Sequence, residues 1–100
     1  MDLFGRTIVY ESRAEKAILE AENRWNEIDE IINAFEWVLM RDVEIGHALS
    51  ESGNIRGFLY PGARSKKEPD VDIIYEIDAE RITIRDLIFS DAKGHYAGKA

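Results

Sequence analysis

The sequence predicts an α+β domain: a four-stranded, mostly antiparallel sheet with two N-terminal helices packed on one face, in the order β-α-α-β-β-β. Three observations predict it. Residues 71–77 and 82–89 are strand-like runs, rich in β-branched and aromatic side chains and joined by a short turn. Residues 12–43 contain no Gly or Pro and repeat their apolar side chains at helical spacing. A short β-branched run, residues 5–11, precedes that segment.

Taken in order, residues 5–11 place Ile8 and Tyr10 on one face of a strand and Thr7 and Val9 on the other. Ser12-Arg13-Ala14-Glu15 then fits a capping box, a hydroxyl and a carboxylate three residues apart that satisfy free amides at a helix start. Apolar residues follow at positions 14, 17, 18, 21, 25, 28, 31, 32, 35, 38 and 39. As one helix this is a rod of ~43 Å at 1.5 Å per residue, too long for a globule whose radius of gyration is ~13 Å. The preferred reading is two helices with a tight joint near residues 23–26, Asn26 capping the second. The alternative is the single rod, whose surplus apolar stripe would make a homodimer. Trp25 and Phe35 fall on the stripe and read as core; Trp37 lies off it, against a flanking loop or in a partner-binding patch.

Residues 42–54 read as a connection, with Gly46 at a chain reversal, Ile45 and Leu49 tucked under the sheet, and His47 as a polar loop residue. Residues 55–60 form the next strand, with Arg56, Phe58 and Tyr60 on one face, ended by Pro61-Gly62. After a polar excursion comes the hairpin. In its first run Val71, Ile73, Tyr75 and Ile77 share one face; Asp72, Glu76 and Asp78 share the other, which Ile74 interrupts. In its second run Ile82 and Ile84 have one parity, Leu87 and Phe89 the opposite one, and a bulge near Arg85–Asp86 reconciles them. Residues 78–81 supply the turn.

Composition narrows the function classes. One hundred residues make one domain, residues 1–100. The absence of cysteine excludes disulfides and thiolate metal sites, and His47 and His95 are too far apart to form a ligand motif, so no metal or cofactor is expected. No run is long enough to span a membrane and the first ten residues lack a signal-peptide layout, which makes a soluble, cytoplasmic protein the expectation. The net charge of −7 comes from residues 1–51, with 5 Lys/Arg against 12 Asp/Glu; residues 52–100 carry 8 of each. An acidic chain does not favour nucleic acid. The basic stretch containing Arg56, Arg64, Lys66 and Lys67 has no acid within it and marks either a local patch or a solvated loop.

The motifs Arg41-Asp42-Val43-Glu44-Ile45-Gly46, Ile55-Arg56-Gly57-Phe58, Ile73-Ile74-Tyr75-Glu76-Ile77-Asp78 and Ile82-Thr83-Ile84, in this order of elements, resemble the RelE/ParE superfamily. These are the toxin halves of bacterial type II toxin–antitoxin pairs, and the resemblance spans the chain from the first strand to Phe89. It implies a cognate antitoxin as partner and, as target, either ribosome-bound mRNA, cleaved without metal by attack of a ribose 2′-OH, or DNA gyrase. A non-catalytic module that keeps the fold and the antitoxin groove is a further alternative. For the nuclease, the resemblance implies His95 as acid or base, assisted by Tyr96 and Arg56, with Arg64, Lys66, Lys67 and Arg85 binding nucleic acid. The position three before the strand tyrosine is basic in many nucleolytic relatives. Here it is Asp72, whose carboxylate would repel phosphate.

Overall fold

The computed structural model describes residues 5–92. Its elements are β1 (Thr7–Tyr10), α1 (Ser12–Glu22), α2 (Ile28–Arg41), β2 (His47–Ala48), β3 (Ile55–Tyr60), a 3₁₀ turn (Arg64–Lys66), β4 (Pro69–Ile77) and β5 (Arg81–Asp91). The α+β class with two helices stands, but the sheet is five-stranded and mixed rather than four-stranded, in the order β1-β5-β4-β3-β2. The four pairings differ in direction: β1 runs parallel to β5, and the other three are antiparallel. The additional strand, β2, lies in the segment expected to be a loop. Among the described residues no helix is long and apolar enough to cross a membrane.

The helices form a hairpin, not a rod. Arg24 and Trp25 both donate main-chain N–H to Ala21 O, closing α1. The chain then reverses through Glu27, which takes a left-handed conformation (φ 61°) at the start of α2. That shifts the cap one residue beyond Asn26, which therefore does not cap the helix. The capping box also fails to form. Glu11 remains extended and bonds its N–H to Ile84 O, so the residue that follows the strand serves as the helix cap and Ser12 is already helical.

Where β1 stops pairing, at Ile84, α1 takes its place beside β5. Ala14, Ala17 and Ala21 recur on one face of α1, and these small side chains permit a close approach. Ion pairs mark the two ends of this contact, Arg13–Asp86 at 3.7 Å and Arg24–Asp91 at 3.1 Å. A strand edge that would otherwise present unpaired main-chain groups is thus covered.

The core lies between α2 and one face of the sheet. Ile28, Ile31, Phe35 and Leu39 recur at helical spacing and are all buried, as are Val71, Ile73 and Tyr75 of β4 and Ile82, Ile84 and Leu87 of β5. Phe35 meets Tyr60 edge-on at 6.5 Å between ring centroids, and Trp25, half-buried, packs on Phe89. The bulge is where the parity switch demanded it. Ile74 pairs with Asp86 and Tyr75 with Ile84, which leaves Arg85 as the extra residue and returns Leu87 to the core face. The hairpin turn is held by Asp78, whose carboxylate accepts the main-chain N–H groups of Glu80 and Arg81. Those two amides hold its pKa below the usual carboxylate value.

Two expectations about residues 42–54 fail. Ile45 and Leu49 are exposed, 41% and 49%, because the short β2 keeps the segment at the sheet edge instead of beneath it. His47 belongs to that strand, with its ring against Gly57. Gly46 is required by space. A Cβ there would lie 2.6 Å from Gly57 O and 2.9 Å from the Tyr75 hydroxyl. Trp37 is 60% exposed, with the Arg41 guanidinium stacked over its ring at 4.4 Å.

Candidate functional site

The sequence-predicted residues separate into three groups. Arg56 lies near the β2 end of the sheet and is engaged by main chain. Its Nε donates to Gly53 O at 2.9 Å, and its Nη1 donates to Gly46 O at 2.7 Å and Glu44 O at 3.3 Å. It clamps the 42–54 connection onto β3. Beside it the Tyr75 hydroxyl accepts the Gly46 N–H at 3.0 Å and donates to Val43 O at 2.9 Å. Burial raises the Tyr75 pKa, with the Gly46 amide and Arg56 opposing the rise. These bonds tie the connection to the core. Tyr75→Phe leaves the buried Gly46 N–H and the Val43 carbonyl each without this partner, and an expected loss of about 1–3 kcal/mol follows. Urea denaturation checks it, and an unchanged midpoint would contradict the role.

Arg85, the bulge residue, is shared between two carboxylates, Glu76 at 2.9 Å and Glu11 at 3.4 Å. With Arg13, Asp86, Ile55 and Ile74 it lines a cleft of about 830 Å³ where α1 begins. On the core side of β1, the Tyr10 hydroxyl donates to Glu36 of α2 at 2.5 Å. Burial and the neighbouring carboxylate push the Tyr10 pKa up, so the phenol stays protonated.

Arg64, Lys66 and Lys67 lie at the other end of the sheet, on the 3₁₀ turn and the residue after it, in a cleft with Arg24, Trp25 and Asp91. From Arg85 at the bulge to Asp91 is six residue steps of strand, roughly 20 Å at ~3.3 Å per residue. Arg85 and the basic turn therefore do not converge on one phosphate. His95 and Tyr96 lie outside the described residues. Among the described residues, no group of three His, Asp or Glu side chains is placed to hold a metal ion.

The sheet face opposite α2 is the feature that sequence reasoning undervalued. Strand register assembles it in rows. Leu59, Asp72 and Ile88 lie side by side across β3, β4 and β5, and the next row is Gly57, Ile74 and Asp86. Leu59 is 39% and Ile88 53% exposed, and Leu49 lies over Gly57 at the edge of the same face. Asp86 is paired with Arg13, whereas Asp72 makes no ion pair among the described residues. The signal was partly visible in Ile74, which interrupts the polar parity of β4. The neighbours from β3 and β5 could not be read without the register.

No family model, curated protein or solved structure matches this chain.

Proposed function

We propose that the chain is a RelE/ParE-like toxin of a toxin–antitoxin pair, acting in the cytoplasm by gripping a protein on its open sheet face rather than by cutting RNA. The row Leu59–Asp72–Ile88 carries this reading: an exposed carboxylate between two exposed aliphatic side chains. Such a row suits a partner segment that presents a Lys or Arg between apolar side chains. On this reading the antitoxin silences the toxin by occupying the face that the target would use.

The engagement of the basic residues supports the same preference. In-line attack by a 2′-OH requires a base, an acid and cations around one phosphate. Arg56 is bonded to three carbonyls, Arg85 is shared by two carboxylates, and Asp72 adds negative charge to the open sheet face. A gyrase-directed, ParE-like action is the protein-target form of the proposal, and a supercoiling assay is its readout.

The test is induction of the protein alone, with message 5′ ends mapped by primer extension and plasmid supercoiling followed in parallel. Growth arrest without new message ends is expected. New ends that disappear in His95→Ala would overturn the protein-binding reading in favour of the nuclease.

A further inference from the structure

The joint between α1 and α2, the 3₁₀ turn and the end of β5 enclose a cleft of about 540 Å³. We propose that this cleft binds a compact polyphosphate group, two or three contiguous phosphates, whether inorganic or carried by a nucleotide. The proposal is independent of the toxin reading, because none of the residues lining the cleft belongs to the Leu59–Asp72–Ile88 row.

The charges facing the cleft decide its preference. Arg24 is neutralised by Asp91 at 3.1 Å, and the Glu68 carboxylate accepts the Ala63 N–H at 2.9 Å. Arg64, Lys66 and Lys67 make no ion pair among the described residues, and Glu27 is the one lining carboxylate not engaged by a described partner. The cleft is thus lined by four cations and three carboxylates, a net charge of +1, and three of the cations lie within four residues, 64–67. In a chain of net charge −7 this is a local reversal of sign.

The backbone beneath these cations is tightly set. The Gly62 N–H donates to the buried carboxylate of Asp70, the Ala63 carbonyl accepts from both Lys66 and Glu68, and Lys67 N–H closes the 3₁₀ turn on Arg64 O. Among the described residues, the two non-glycine residues with left-handed backbone are Glu27 (φ 61°) and Lys67 (φ 60°), and both line this cleft. Uncommon backbone of this kind clusters at ligand sites.

Two features narrow the ligand. The volume falls within the range of small-molecule sites, roughly 300–1,000 Å³. The surrounding acidic surface opposes a long polyanion, whose outlying charges meet repulsion, more than a compact one. Trp25 is not an open stacking platform, since Phe89 packs against its ring at 6.2 Å and the Arg24 guanidinium lies over it at 4.4 Å. Recognition is thus of phosphate, not of a base.

Isothermal titration calorimetry on the full chain tests this with four probes at low and moderate salt: inorganic tripolyphosphate, ATP, adenosine and a 12-nucleotide single strand. Tripolyphosphate and ATP are expected to bind within about threefold of each other, weakening with salt, and adenosine not at all. The exposed double substitution Arg64→Gln/Lys66→Gln is expected to weaken both at least tenfold. Arg81→Gln, in the 78–81 turn, is expected to leave them unchanged, with circular dichroism confirming both folds. Absence of tripolyphosphate binding, or equal binding by the double variant, would overturn the proposal. ATP binding tenfold above tripolyphosphate would overturn recognition by phosphate alone. Tighter binding of the oligonucleotide than of either would make the cleft part of a nucleic-acid track instead.

Discussion

Phe35→Ala is expected to cost about 3–5 kcal/mol, the largest loss from a single side chain in this domain. Phe35 sits in the middle of α2, has no exposed surface, and is flanked along the helix by buried Ile31 and Leu39. Its ring meets Tyr60 edge-on and is part of the same core as Val71 and Ile73. Removing it takes away transfer free energy and leaves a cavity that the rigid sheet cannot close. A 100-residue domain has about 5–15 kcal/mol in total, so this variant is expected to lie near the limit of folding. Urea denaturation is the measurement: the midpoint falls steeply while the slope is kept. Leu19→Ala is the control, because Leu19 is 64% exposed on α1 and its loss is expected to stay within about 0.5 kcal/mol. Equal effects from the two would contradict the placement of the core.

Gly62→Ala is expected to cost about 3 kcal/mol or more, for a different reason. A Cβ at this position would lie 2.2 Å from Pro69 O and 2.6 Å from Glu68 O. Both atoms are main chain, so no side chain can swing away, and overpacking of this kind ordinarily costs about 1–3 kcal/mol even where relief is available. The relief open here is to move the 61–68 turn, which stretches the Gly62 N–H bond to buried Asp70 and shifts Arg64, Lys66 and Lys67. Gly53 is the useful contrast. Its φ of 79° asks for glycine on backbone grounds, and its imagined Cβ meets only the tip of Arg56 at 3.3 Å. Gly53→Ala is expected to cost about 1 kcal/mol. Thermal unfolding separates the two, and a smaller loss at Gly62 than at Gly53 would contradict the argument.

What the sequence revealed of the fold follows from which signals are local. The bulge was legible because the apolar parity changes between Ile84 and Leu87, and a side-chain period of two admits few other solutions. The helical hairpin was legible because a single rod would outrun the globule. β2 was not legible, since two residues, His47 and Ala48, carry no pattern of alternation. The parallel pairing of β1 with β5 was hidden for a related reason: alternation tells which residues share a face, not which way the neighbouring strand runs. The capping box matched in composition but does not form, because Glu11 takes the cap position and Ser12 is already helical.

The candidate site was less legible. Arg64, Lys66 and Lys67 stood out as a basic run, but their neighbours Arg24 and Trp25 lie about forty residues earlier and join them only through the fold. The resemblance implies Arg56 as an assisting residue of a nuclease site, whereas its guanidinium is bonded to main-chain carbonyls. The row Leu59–Asp72–Ile88 depends on the register of three strands, and Asp72 stands at the centre of the face proposed above for a partner.

The central claim is that the open sheet face does the work, and Ile88→Asp tests it most directly. Ile88 is 53% exposed and pairs with Asp72, so the substitution places a second carboxylate beside the first without disturbing the core. Growth after induction of the protein alone is the measurement, with Leu19→Asp as the exposed control outside the face. The account predicts arrest by the unsubstituted protein and by Leu19→Asp, and no arrest by Ile88→Asp at equal expression. Arrest by Ile88→Asp as strong as that of the unsubstituted protein would contradict it.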